Sequence, residues 1–139
     1  MRRSFTAALL LSLVMVSACR HLRAAVGAGS DRRVVEYAVQ LDAPTSTAIP
    51  QAQVGAMVEE AIRASGFEAV ERGPGDDEGG EPYLLLVGTA LSADQHRIRM
   101  RWTAAEGVCS RTRDAILENR GELGARVREV MQCVQADGR

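Results

Sequence analysis

The chain has no lysine. All 17 of its basic residues are arginine, set against 18 acids for a formal net charge of −1. That balance excludes a strongly basic nucleic-acid binder on bulk charge. Aromatics make up only 4%, so any core must be built from aliphatic side chains. There are three cysteines and no C-x-x-C pair, which removes the common zinc and dithiol signatures. No apolar run approaches the roughly 20 residues of a membrane-spanning helix. A Ser-His-Asp signature, a phosphate-cradling glycine loop and an alternating calcium loop are also missing. No catalytic role, cofactor or metal is therefore expected. What is present is 46% hydrophobic residues in a length of 139. That excludes a disordered chain and suits one folded domain.

The apolar residues are concentrated at the start. Arg2 and Arg3 precede a nearly unbroken apolar run from Phe5 to Val16, and small residues follow. A basic start, a short apolar stretch and a small-residue end are the parts of a secretory signal peptide, here residues 1–18. Val16-Ser17-Ala18-Cys19 resembles the bacterial lipobox, with an aliphatic residue three before the cysteine and small residues between. The resemblance implies that the Cys19 thiol is lipidated and that cleavage before it makes Cys19 the new N-terminus. Ordinary cleavage, with Cys19 left as a spare thiol in a soluble secreted domain, is the alternative. Several acyl chains hold a protein firmly where one holds it marginally. Arg20 stands where enteric lipoproteins retained in the inner membrane carry Asp, so the resemblance points to the outer membrane, facing the periplasm.

Cleavage would leave 121 residues with 15 arginines, 18 acids and a net charge of −3. Residues 19–31 show neither helical nor strand periodicity and read as a lipidated N-terminus and tether. Residues 32–139 read as a single α/β domain. Val35, Tyr37, Val39 and Leu41 alternate with polar or small residues, as in a half-buried strand. Residues 44–47 read as a loop. Val54, Met57, Val58, Ala61 and Ile62 share a helical face after Pro50, and Gly66 stops that helix. Phe67 to Glu71 is a short strand, and the glycine-rich, acidic 73–82 stretch is a loop. Tyr83 to Leu91 is apolar on both faces and reads as a central strand. His96 to Thr103 is the next strand. Ile116 and Leu117 read as a separate helical turn. Leu123, Val127, Val130, Met131 and Val134 define a last helix from Arg120, with Asn119 and Glu122 as a capping box. The expected fold is an α+β two-layer sandwich, a four-stranded sheet with two main helices on one face, in the order β-α-β-β-β-α.

Cys109 and Cys133 are the even pair that an exported domain usually bridges. One straight helix between them would hold them about 33 Å apart, far beyond disulfide reach. The chain must therefore turn, and the Asn119–Gly121 break supplies the place. Arg97, Arg99 and Arg101 alternate with Ile98, Met100 and Trp102, which places three guanidinium groups on one strand face about 7 Å apart. Such a ladder suits phosphates or carboxylates on a lipid or an acidic partner. The competing reading is a solvated face with the arginines paired to acids such as Glu36. Asp76, Asp77 and Glu78 read as a solvated loop. His21 and His96 have no nucleophile beside them in sequence.

Cys19-Arg20-His21-Leu22-Arg23 and the inferred element order resemble the lipopolysaccharide-assembly lipoprotein family, the partner that plugs the outer-membrane translocon. Auxiliary lipoproteins of lipid-transport systems share similar sandwiches. Both resemblances imply an envelope protein or lipid partner, and the lipopolysaccharide-assembly family does not require a pair like Cys109 and Cys133. The function expected is an outer-membrane lipoprotein that binds or scaffolds an envelope partner; the alternative is a periplasmic enzyme of unknown type.

Overall fold

The computed structural model describes residues 32–73, 81–104 and 107–138. Five strands form one sheet: β1 (Val34–Leu41), β2 (Glu68–Glu71), β3 (Leu84–Ala90), β4 (His96–Trp102) and β5 (Arg113–Ile116). Their order across the sheet is β2-β1-β3-β4-β5. β1 runs parallel to both β2 and β3, whereas β3-β4-β5 is an antiparallel meander. Among the described residues three helices accompany the sheet: α1 (Ala43–Ala48), α2 (Gln51–Ala64) and α3 (Arg120–Asp137). The fold class is α+β, as the periodicities imply, with one strand and one short helix more than expected.

Each departure has a local reason. The 44–47 stretch is helical because Asp42 caps it, accepting from the Thr45 N–H at 2.9 Å, while Pro44 occupies the first turn. Pro is tolerated there because its missing N–H has no intrahelical partner anyway. Ile116 belongs to β5 rather than to a helical turn, and Leu117 sits in the turn that follows. β5 is only four residues long and sends just Arg113 and Ala115 toward the core. Its strand character comes from pairing with β4, which periodicity cannot register.

The helix boundaries follow from capping chemistry. Gly66 has φ of 89°, so it accepts the left-handed turn that ends α2. The Gly66 N–H donates to the Arg63 carbonyl, and the Phe67 N–H to that of Ile62, the bond pair of a Schellman motif. Asn119 caps α3 by accepting from the Glu122 N–H at 3.1 Å. Glu122 does not close a reciprocal capping box. Its carboxylate accepts the Ile116 N–H at 3.2 Å and fastens the end of β5 to the start of α3.

The core lies between one sheet face and the two long helices. Val35, Tyr37, Val39, Leu84, Leu86, Ile98, Met100 and Ala115 project from the strands. They meet Val54, Val58, Ala61 and Ile62 of α2, and Leu123, Val127, Val130, Met131 and Val134 of α3. Burying each large aliphatic side chain is worth about 1.5–3 kcal/mol. Cys109, in a short 3-10 turn at Val108–Ser110, is bonded to Cys133 of α3, with the Cα atoms 5.5 Å apart. β5 and its flanking turns carry the chain back from the first cysteine to the second.

Candidate functional site: the open face of the sheet

Strand alternation leaves the second face of the sheet to solvent, partly apolar and partly basic. Arg97, Arg99 and Arg101 lie on it together. They stand opposite Thr89, Val87 and Leu85 of β3. On the other side, Arg97 faces Ile116 and Arg99 faces Asp114. Ile98 and Met100 point into the core at 0% exposure. The alternation read from Arg97 to Trp102 thus places these arginines on a single face.

The three arginines are not equivalent. Arg99 grips Asp114 with two hydrogen bonds, Nε to Oδ1 at 2.9 Å and Nη2 to Oδ2 at 3.2 Å. This fork, helped by the nearby Arg97 charge, holds the Asp114 carboxyl below its usual range. Among the described residues, Arg101 has no ion pair or hydrogen bond, and the shielded Nε of Arg97 has no acceptor. Glu36 is not a partner of the ladder. It pairs with Arg72 at 3.4 Å, on the far side of β3, where the Arg72 guanidinium also stacks 4.2 Å above the Tyr83 ring. The acid that Arg99 uses comes from β5, the strand that sequence periodicity misses.

At the opposite corner the face turns apolar. Val34 and Val70 are 56% and 49% exposed. Ala38, Leu85 and Val87 lie half-buried between this corner and the ladder. Both long helices lie on the other side of the sheet. No helix among the described residues is long and apolar enough to cross a membrane.

Other polar groups of the described residues gather at two places in the fold. The Tyr37 hydroxyl donates to Glu59 Oε2 at 3.4 Å. Burial, reinforced by the Glu71 and Glu59 carboxylates, pushes its pKa up to about 12. Glu59 is itself bridged to Arg63. His96 is 3% exposed and its Nδ1 lies 2.5 Å from Glu118 Oε1, while its backbone N–H donates to the other Glu118 oxygen. Burial alone would raise the Glu118 carboxyl; the His96 hydrogen bonds outweigh it and hold the group below its ordinary value. The ring is committed to joining β4 to the turn after β5. The contacts of Glu59 and Glu71 with Tyr37, and of Glu118 with His96, give no sequence signal, because they are made only through tertiary packing.

Asp137 Oδ2 lies 3.1 Å from the Cys109 sulfur. A bridged sulfur carries no proton, so this is a carboxylate packed against a disulfide. The ligand atoms of Cys109, Cys133 and Asp137 fall within 4.8 Å of one another, but both sulfurs are spent in their mutual bond. A cavity of about 310 Å³ opens beside them, floored by Val35, Phe67, Trp102 and Val134. A second, of about 320 Å³, lies between α2 and α3 beside Met57, Gly124 and Arg128. Neither brings together a nucleophile and a base. Cys19 and His21 lie outside the described residues, as do Asp76, Asp77 and Glu78.

No family model matches the chain, and no curated protein matches it.

Proposed function

We propose that this chain is a lipid-anchored protein of the bacterial outer membrane that faces the periplasm and binds an envelope partner through the open face of its sheet. The observation that carries the reading is the pattern Val16-Ser17-Ala18-Cys19 behind a basic and then apolar leader. The head adds support. Among the described residues, the helices cover one side of the sheet, and the other presents unpaired arginine and exposed valine together, a surface suited to contact rather than to chemistry. The partner is an envelope protein or lipid, and no cofactor, metal or nucleic acid takes part. The resemblance of Cys19-Arg20-His21-Leu22-Arg23 to the lipopolysaccharide-assembly lipoproteins makes a translocon barrel one candidate and lipid-transport components another.

Cells grown with labelled palmitate test the anchor. The wild-type chain takes up label and the Cys19→Ala chain does not; label in the variant would overturn the anchor. Photo-crosslinking from Gln40 and Thr89, on the open face, then identifies the partner. Adducts to a barrel protein support assembly and adducts to transporter components support lipid traffic. Adducts that form equally well from Ala125 on α3 would overturn the assignment to this face.

A further inference from the structure

Taking the anchor above as given, we infer that the open face docks on the phosphate surface of an anionic phospholipid bilayer. Arg97 and Arg101 take the phosphates, and Val34 and Val70 settle against the headgroup layer. Four observations lead there. First, among the described residues Asp114 and Glu36 on this face are already engaged, Asp114 by Arg99 and Glu36 by Arg72. That leaves the flanking guanidiniums of Arg97 and Arg101 for an outside anion. Second, these two stand four residues apart on β4, about 14 Å at ~3.4 Å per residue. That is too wide for one phosphate and suits a surface that repeats them. Third, the exposed Val34 and Val70 share this face at its other end, so the same plane presents both charge and apolar contact. Fourth, the chain enters the domain at that apolar corner, since residues 19–33 lead directly into Val34. Fully extended, they span at most about 50 Å.

A head held on such a leash always has a bilayer within reach. Contacts too weak to recruit a free protein become effective through the high local concentration. A soluble or barrel partner has no such guarantee. Among the described residues, Glu68 lies on the same face beside Val34, and its charge weakens the contact at that end without removing the apolar contribution of the two valines. Each arginine near an anionic surface strengthens binding about fivefold, so two give roughly 25-fold, which salt reduces.

The test uses the full lipidated chain, with palmitate incorporation verified beforehand so that failure of the anchor is seen separately. It is reconstituted into phosphatidylcholine vesicles with or without 30% phosphatidylglycerol. One fluorophore is placed at Gln40→Cys on the open face, and in a second preparation at Ala125→Cys on α3. Lipid-borne nitroxide quenches whichever label lies near the bilayer. In anionic vesicles the Gln40 label is quenched at least about threefold more than the Ala125 label, and in neutral vesicles the two are quenched alike. High salt and the Arg97→Gln/Arg101→Gln pair both abolish the difference. Arg101→Glu alone, at an exposed position, removes as much charge as the double variant and also abolishes it. Equal quenching in both vesicle types, or a difference that persists through charge reversal, would overturn the inference and leave the face to an acidic protein.

Discussion

Val35, Tyr37 and Val39 face the helices from β1, and Val34, Glu36 and Gln40 face away from them. The same alternation divides Leu84 and Leu86 from Leu85 and Val87 on β3, and Ile98 and Met100 from the arginines on β4. Covered positions are almost all aliphatic and nearly free of solvent. Open positions mix Val, Leu, Thr, Glu and Arg at every degree of exposure. The covered side fixes the fold, since its side chains cannot change volume without leaving a cavity or a clash. The open side is under no such demand, so its composition is free to answer to whatever it meets.

Truncation on the covered side should have the largest effect. Leu86, at 0% exposure, changed to Ala should remove about 3–5 kcal/mol of stability in urea unfolding. Its neighbour Val87, on the open side, changed to Ala should remove no more than about 1 kcal/mol. Equal losses at the two positions would erase the distinction between the faces.

Breaking the Cys109–Cys133 bridge comes next. It closes a sequence separation of 24 residues, so the double Ser variant should lose about 3.5 kcal/mol on the chain-entropy account. The bridge ties α3 to the turn before β5, and the loss should appear as earlier global unfolding while anionic-vesicle docking at low denaturant persists.

The third effect is alkaline. Tyr37 has a folded pKa of about 12 against an ordinary 10.0, so its neutral form is the one favoured by folding. The associated stability is fully present below pH 10 and is lost as pH rises from 10 through 12. It amounts to about 2–3 kcal/mol. Tyr37→Phe should remove this part of the alkaline loss, and phenolate absorbance should lack its late component.

The smallest effect belongs to the open side. Arg99 and Asp114 are each about half exposed, so Asp114→Asn should cost less than about 1 kcal/mol. The pair's contribution is present above the ordinary carboxylate pKa and is lost as pH falls through the lowered value. The same variant frees Arg99 and should strengthen docking on phosphatidylglycerol vesicles about fivefold. A stability loss as large as that at Leu86 would mean that the open side is structural after all.

Much of this division is legible in the sequence. Strict alternation in β1 and β4, and the apolar stripe from Leu123 to Val134, announce both the elements and their buried sides. The capping signals at Gly66 and Asn119 fall where the helices end and begin. The rest depends on contacts that periodicity does not encode. β5 is a strand because β4 lies beside it, and α1 is a helix because Asp42 is held in place. The Asp42 carboxylate accepts the Ala90 N–H at 3.0 Å, and its own N–H donates to the Gly88 carbonyl. Of the candidate site, the ladder is readable from spacing alone. The engagement of Arg99 by Asp114 is not, because it needs the missed strand. Without that pairing the three arginines look alike, and the two that differ from the third cannot be singled out.

Trp102, the chain's single tryptophan, ends β4 and lines the cavity that also touches Val134 and Asp137. Its indole emission therefore comes from one known place, at the seam where the sheet meets the last turn of α3. Opening of the bridge, loosening of that helix end or entry of a small molecule beside Phe67 would each alter its wavelength or yield. The protein thus carries its own optical reporter, positioned to follow the seam without any added dye.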